Sequence, residues 1–351
     1  MACTPAADRV GFYGTAATVN RLGAEHQEVT VAFTKVLLAS VGLVIASVAT
    51  AAEWQPKRPI KIVVPYAAGG SADAMARVLA EKMQARLGQP VVVDNKPGAG
   101  TVIGATAVAR SPADGYNLLF ATSTTLSIVP LVQKQVPYAA SDFLPVAGIM
   151  SMPFMLDVNK DVPVTTLQDL VAKSRGKPGH FNYGTLGNGS SNHVLGALLS
   201  KAAGESLVSV HYTGAAQALT ALARGDVHVY FDGIPTSIHK VASGEYKALA
   251  VTSKTRVPGA PDVPTVFEQG LPELGLTVWY GLVAPAGTPR DVVTTLNAVV
   301  QSAVSDERVS ALITRDGSQP LQLDPQGFQQ LIDQDAAAWR DAFGKLKLKL
   351  E

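Results

Sequence analysis

The chain has 351 residues, 47% of them hydrophobic, so it can build one large core or two ordinary ones, and disorder is excluded as the default. Lys and Arg total 29 against 28 Asp and Glu, which leaves no bulk charge for nucleic acid or an acidic membrane surface; any anion must be held locally. Cys3 is the single cysteine, so no disulfide framework contributes.

Lys35 precedes VLLASVGLVIASVATAA, a short apolar run followed by small residues, which is the pattern of a secretory signal cleaved near Ala51 or Ala52. The run stops at Glu53 and Gln55, a little short of the roughly 20 apolar residues of a spanning helix. Residues 1–30 are unusual ahead of such a signal, and a start codon set too far upstream accounts for them. Cys3 falls in the part removed, so no lipid-anchor cysteine follows the signal. The exported chain is expected to rest on core burial alone.

From Ile60 onward, short β-branched runs alternate with helical patterns, the mark of an α/β domain with a largely parallel sheet. Ile60 to Pro65 reads as the first strand. Ala72 to Leu87 reads as a helix with Met75, Ala76, Leu79, Met83 and Leu87 on one face, closed by Gly88. Val91 to Asp94, Val102 to Arg110 and Asn117 to Ala121 follow as strand, helix and strand. Residues 141–165 carry Pro145, Pro153 and Pro163, which suits a crossover. A second series begins at Phe181 to Gly184 and continues through a helix over 192–203, strand 208–212, helix 215–224, strand 227–231, a helix after Pro235 and strand 247–252. Thr277 to Ala284 is one more strand, after which Thr288 is expected to cap a long helix with Pro289 at its first position. The last helix starts at Asp324 and Pro325 and buries Phe328, Leu331, Ile332, Trp339 and Phe343. The KLKLKL tail reads as a frayed or docked end.

Two such series joined by two crossings, near 155 and near 276, predict two lobes with a cleft, and ligands in such sheets sit beyond the carboxyl ends of strands. The expected division is 1–52 as extension plus signal, 53–155 with 277–351 as lobe 1, and 156–276 as lobe 2.

The loop after the first strand, YAAGGSADAMAR, lets the backbone approach a ligand at Gly69 and Gly70 and offers free N–H groups at a helix start. It lacks the lysine of a P-loop, and no Gly-x-Ser-x-Gly elbow activates Ser71. Asp73 reads as a first-turn acid, pairing with Arg77 and ordering the loop. GAGTVIG, 98–104, misses the dinucleotide fingerprint by one residue, and its glycines suit tight packing of helix on strand. GTLGNGSSNHV, 184–194, is the second-lobe counterpart, with Ser190 or Ser191 as helix cap and spare hydroxyl and N–H groups for a carboxylate. His193 reads as a packed helix histidine, and the six histidines have no zinc spacing. Thr122 to Thr125, and Thr213 with Gly214, repeat the pattern of hydroxyls near helix starts. Asp232, at the end of VHVYFD, would repel a second carboxylate and welcome an ammonium or hydroxyl donor.

VVPYAAGGSADAMAR, VVVDNKPGAGTVIGA, SPADGYNLL, FNYGTLGNGSSNHV, FDGIP, ALAVTS, PDVPTVFEQGLP and YGLVAPAGTP resemble, in order, segments of the Bug family of periplasmic solute-binding proteins, the extracytoplasmic receptors of tripartite tricarboxylate transporters. The likeness runs from Trp54 to about Phe343. It implies an α/β, two-lobed periplasmic binding protein (type II-like, flytrap) with two crossover connections, in which the first-lobe loop holds a ligand carboxylate mainly by backbone groups and waters. By resemblance the ligand set is Ala68, Gly69, Gly70, Ser71 and Asp73, Thr122 and Ser123, Ser190, Ser191 and Asn192, Gly214 and Ala215, and Asp232. Leu126, Val129, Thr213 and Gly233 depart from common family residues, which leaves the acid unnamed.

The expected function is non-enzymatic capture of a di- or tricarboxylate, amino acid or aromatic acid in the periplasm by a monomer, with delivery to the transporter's membrane subunits. No cofactor, metal or nucleic acid is expected. The alternatives are a sensor presenting its closed form to a membrane signalling protein, and an esterase using Ser71 or Ser190.

Overall fold

The computed structural model describes the backbone of residues 54–346 and side chains to 344. The expected secretory segment and its cleavage point lie outside the described residues, as does the alternating tail from 347. No helix among the described residues is long and apolar enough to cross a membrane.

Strand β1 (Ile60–Val64) pairs in parallel with β2 (Val91–Asn95) and β3 (Asn117–Thr122). Between β1 and β2 runs α1 (Ser71–Leu87), which buries Met75, Ala76, Leu79 and Met83 because they recur on one helical face. It ends where Gly88 adopts φ 66° and donates its N–H to Gln84 O at 3.0 Å. Helix α2 (Val102–Ala109) lies so close to the sheet that a Cβ at Gly104 would sit 2.9 Å from Pro65 Cα and Lys96 O. Gly104 thus serves helix-on-strand contact, as the sequence predicts, whereas Gly100 of the same run meets the backbone of Asn188 instead.

Strand β4 (Phe143–Asn159) corrects the expected proline-broken crossover. It is one continuous strand of 17 residues, with Pro145 beside a register shift and Pro153 at the end of its pairing with β9 (Thr277–Pro285). Prolines are tolerated there because the ladder is interrupted or ending. The first part of β4 pairs antiparallel with β9, and its last part pairs antiparallel with β7 (Val229–Gly233) and β8 (Tyr246–Val251). Two sheets therefore share it. The first runs β2-β1-β3-β9-β4 with β10 (Gln319–Pro320) at its edge; the second runs β8-β4-β7-β5-β6, where β5 is Asn182–Thr185 and β6 is Val208–His211. Only β1 to β3 and β5 to β7 are parallel, so the sheets are mixed rather than largely parallel; the shared strand and the returning β9 bring in the antiparallel pairs.

Helix α3 (Leu167–Ser174), which the sequence reading omits, starts where the Thr166 hydroxyl accepts the Asp169 N–H. The second sheet carries α4 (Ser191–Ala202), α5 (Ala215–Arg224) and α6 (Ile234–Ala242). Helix α7 (Arg290–Val304) is capped by Pro289 without a side-chain bond. Thr288 is not its cap, because its hydroxyl donates to Pro285 O at 2.8 Å. Helices α8 (Glu307–Arg315) and α9 (Pro325–Leu346) complete the first-sheet side.

Phe328 of α9 is fully buried and meets Trp279 of β9 edge to face, with ring centroids 5.2 Å apart. Phe328→Ala should cost about 3–5 kcal/mol through lost burial and an unfilled cavity. Chemical denaturation checks it: a loss below about 1 kcal/mol would mean that α9 packs elsewhere.

Candidate functional site

Four helices begin at one cavity. Gly70, Ser71 and Ala72 at the start of α1, Ser191 and Asn192 of α4, Ala215 of α5 and Gly233 before α6 all line it. Each start follows a strand end, so both sheets aim N–H groups and partial positive charge at the same space. A water-sized sphere can move its centre through about 50 Å³ of it, enough for several waters or a compact organic acid. Hydroxyls of Thr122 and Thr124 line it, and so do Tyr66, Tyr230, Tyr280, Met152, Phe154, Leu186 and Val278. No Lys, Arg or His among the described residues does.

The structure brings Gly70, Ser71, Thr122, Ser191, Asn192, Ala215 and Asp232 of the expected set to this cavity. The other six do not line it. Asp73 faces its own loop: it accepts the Gly69 N–H at 3.0 Å, Asn95 Nδ2 at 3.0 Å and Arg77 Nε at 3.0 Å. Burial alone would raise its carboxyl, but Arg77, the Gly69 N–H and Asn95 hold it below the usual value. Asp73 thus sets the loop's shape, while Ala68 and Gly69 are exposed. Ser123 accepts the Trp279 N–H at 3.0 Å, and Ser190 caps α4 by accepting the His193 N–H at 3.2 Å. Both hydroxyls therefore work inside the fold. Gly214 packs on Ala67, where an added Cβ would collide with the alanine side chain. His193 is buried, and its Nδ1 accepts the Gly189 N–H at 3.2 Å, as a packed neutral histidine does.

The two sides touch around the cavity. Thr124 Oγ1 and Ser191 Oγ lie 2.7 Å apart, and the Ser191 N–H donates to Thr124. Gln133 Nε2 donates to Ala99 O at 3.1 Å and across to Asn188 O at 2.9 Å. A Cβ at Gly100 would lie 2.6 Å from Asn188 O, so only glycine permits that approach. Ser71 Oγ and Thr236 Oγ1 are 3.4 Å apart, and Thr236 donates in turn to Asp232.

Sequence reasoning missed Met152 and Phe154 on β4 and Val278 and Tyr280 on β9. They are spaced two apart and so share one face of their strands. That alternation marks a strand face, but the cavity beside it exists only once β4 pairs with β9.

Asp232 is 2% exposed, and burial pushes its carboxyl up to about 7 against the Thr236 hydroxyl and the Gly233 N–H, which lower it. Asp157, on the same face of the neighbouring strand, is raised well above the carboxylate range by burial and then by the charge of Asp232. Tyr230, Tyr280 and Tyr246 also feel the Asp232 charge.

The folded chain holds the Asp232 proton more tightly than the unfolded chain does, so this group's contribution to stability falls as pH rises from about 4 to about 7. The slope is at most about 1.4 kcal/mol per pH unit. His193, lowered to about 4 by burial and by His211, acts oppositely below about pH 6.5. The difference between wild type and Asp232→Asn reads this carboxyl together with its charge coupling to Asp157: the variant should gain melting temperature relative to wild type as pH is raised from 5 to 8. Parallel pH profiles would show that Asp232 is not held protonated by the fold.

Residues 75–348 match the model of the tripartite tricarboxylate transporter family receptor. The chain is 34% identical to protein BugT of Bordetella pertussis over 321 residues, which cover 89% of this chain and 98% of BugT. The solved structure of periplasmic binding protein BugD superposes with a TM-score of 0.80 at 33% identity, covering 84% of this chain and 99% of BugD. R. palustris Rpa4515, solved with adipate, also gives a TM-score of 0.80 at 33% identity, covering 84% and 98%. The fold is accordingly that of a two-lobed α/β periplasmic binding protein, and the chain belongs to the receptor family of the tripartite tricarboxylate transporters.

Proposed function

We propose that this chain captures a small organic carboxylate in the periplasm and delivers it to the membrane subunits of a tripartite tricarboxylate transporter, acting as a monomer and without chemistry on the ligand. The observation that carries the reading is the convergence of four helix starts on a cavity lined by hydroxyls and lacking a cationic side chain among the described residues. Such a site holds an anion through N–H dipoles and neutral donors. The adipate in the structure of Rpa4515 supports a carboxylate ligand. Periplasmic location is supported by the apolar segment before Ala51 and by relatives described as periplasmic.

In this reading 53–155 with 277–351 form one lobe and 156–276 the other, the division falling where β4 leaves β9 and joins β7. The ligand favours the closed form because it contacts both lobes, and only that differential affinity moves the equilibrium. Capture without turnover is supported by the surroundings of the hydroxyls: Ser71 faces Thr236, Ser191 faces Thr124, and no histidine lines the cavity among the described residues.

A thermal-shift screen of di- and tricarboxylic, amino and aromatic acids should raise the melting temperature for at least one compound; no shift for any acid would remove the reading. Gly70→Val should abolish that shift while the protein stays folded. Gly70 has φ −93° and ψ 175°, which valine adopts freely, so the effect is steric: an added Cβ already lies 3.2 Å from Ala215 Cβ. A variant that retained the full shift would place the ligand elsewhere. Gln133→Ala removes the bond to Asn188 and should weaken affinity about five-fold, the value of one neutral hydrogen bond, without changing the order of preferred acids. Calorimetric titration reads this, and unchanged affinity would mean that the bridge does not bias closure.

A further inference from the structure

The cavity wall has one chemically distinct place. Asp232 turns a carboxyl toward the space while every other polar side chain lining it is a hydroxyl or an amide. Behind it, on the same face of the sheet, Asp157 is fully buried; Ser237 donates to its Oδ2 at 2.5 Å, and Oδ1 has no partner among the described residues. Tyr230 sits directly opposite Asp157 on β7 and also lines the cavity, and its buried hydroxyl has no partner among the described residues. An acid, a second acid behind it and an unpartnered phenol oxygen form a cluster with no cation paired to it among the described residues.

The position of the cluster relative to the helix starts is also defined. Ser71, which begins α1, stands 3.4 Å from the Thr236 hydroxyl, and Thr236 donates to Asp232. Two hydroxyls, those of Ser71 and Thr236, therefore lead from the start of α1 to the carboxyl of Asp232. A ligand whose carboxylate rested on the start of α1 would then direct the substituent of its next carbon toward Asp232. A bare CH₂ there would leave Asp232 and Tyr230 facing hydrocarbon, which is costly for buried polar groups. A donor there would satisfy them, and an ammonium would also stabilise the ionised carboxylate. The rest of the chain has apolar surface to lie on, from Met152, Phe154, Leu186 and Val278.

We propose that the acid bound here carries a hydrogen-bond donor, an ammonium or a hydroxyl, on the carbon next to its carboxylate, and that Asp232 receives it. The proposal rests on the carboxylate-capture reading and narrows it from small acids in general to 2-amino and 2-hydroxy acids.

Matched sets that differ only at the second carbon test it by calorimetric titration of the wild type: succinate, malate and aspartate, and then 4-methylpentanoate, 2-hydroxy-4-methylpentanoate and leucine. In at least one set a substituted acid should bind ten-fold or more tighter than its unsubstituted parent. Asp232→Asn should reduce that preference to less than three-fold, and more for the ammonium than for the hydroxyl; its melting profile reports whether it is folded, and if it is not, the wild-type sets decide. Parents that bind as tightly as their substituted partners would overturn the proposal while leaving carboxylate capture intact. A preference that persists undiminished in folded Asp232→Asn would overturn the role of Asp232. Absence of binding by any acid in either set, and in the wider screen, would remove the capture reading and this proposal with it.

Discussion

The hydrogen-bond ladder of β4 is the constraint on which the rest depends. Its residues up to Pro153 are paired to β9, and those from Phe154 are paired to β7 and β8, so one extended backbone belongs to both sheets. The cavity lies where membership changes: Met152 and Phe154 form part of its lining, and Asp157 sits three residues beyond Phe154, behind Asp232. A shared strand carries position from one sheet to the other without a flexible tether. That continuity explains how hydroxyls from Thr124 on one side and Ser191 on the other can be 2.7 Å apart.

On this frame the site is made from helix starts rather than charged side chains. Strands ending at Val64, Thr185, His211 and Gly233 each turn within a few residues into a helix whose first N–H groups face the cavity. Dipoles of this kind cannot relax away or find a competing carboxylate, as a lysine could. Arg77, a cation beside the loop, is engaged by Asp73, which also takes the Gly69 N–H and Asn95. Positive charge near the loop is thereby used to shape it, and the ligand space itself stays neutral apart from Asp232.

Much of this was legible in the sequence, because the residues that end a strand and start a helix are chemically marked. The glycine pair before Ser71, the Ser190–Ser191–Asn192 run and the Gly214–Ala215 step all mark real helix starts. Which member of each run lines the cavity was not legible. Ser190 and Ser191 are the same residue type one position apart, yet one caps the helix and the other lines the cavity. The same ambiguity holds for Thr122 and Ser123, and for Asp73, whose acid suits a helix start as well as a ligand. Met152, Phe154, Val278 and Tyr280 were missed for a different reason. Their alternation marks a strand face, but that the face borders a cavity depends on the long-range pairing of β4 with β9, which local pattern does not contain. The mixed direction of the sheets was hidden in the same way.

The meeting of Gly214 with Ala67, and of Gly100 with Asn188, has a mechanical meaning. Where two halves close through long side chains, the gap at closure is adjustable, since rotamers can shorten or lengthen the reach. Here backbone and methyl groups meet with no such slack, so the contact works as a hard stop. The distance between the two gripping faces is then a fixed dimension of the protein, like the jaws of a calliper at zero.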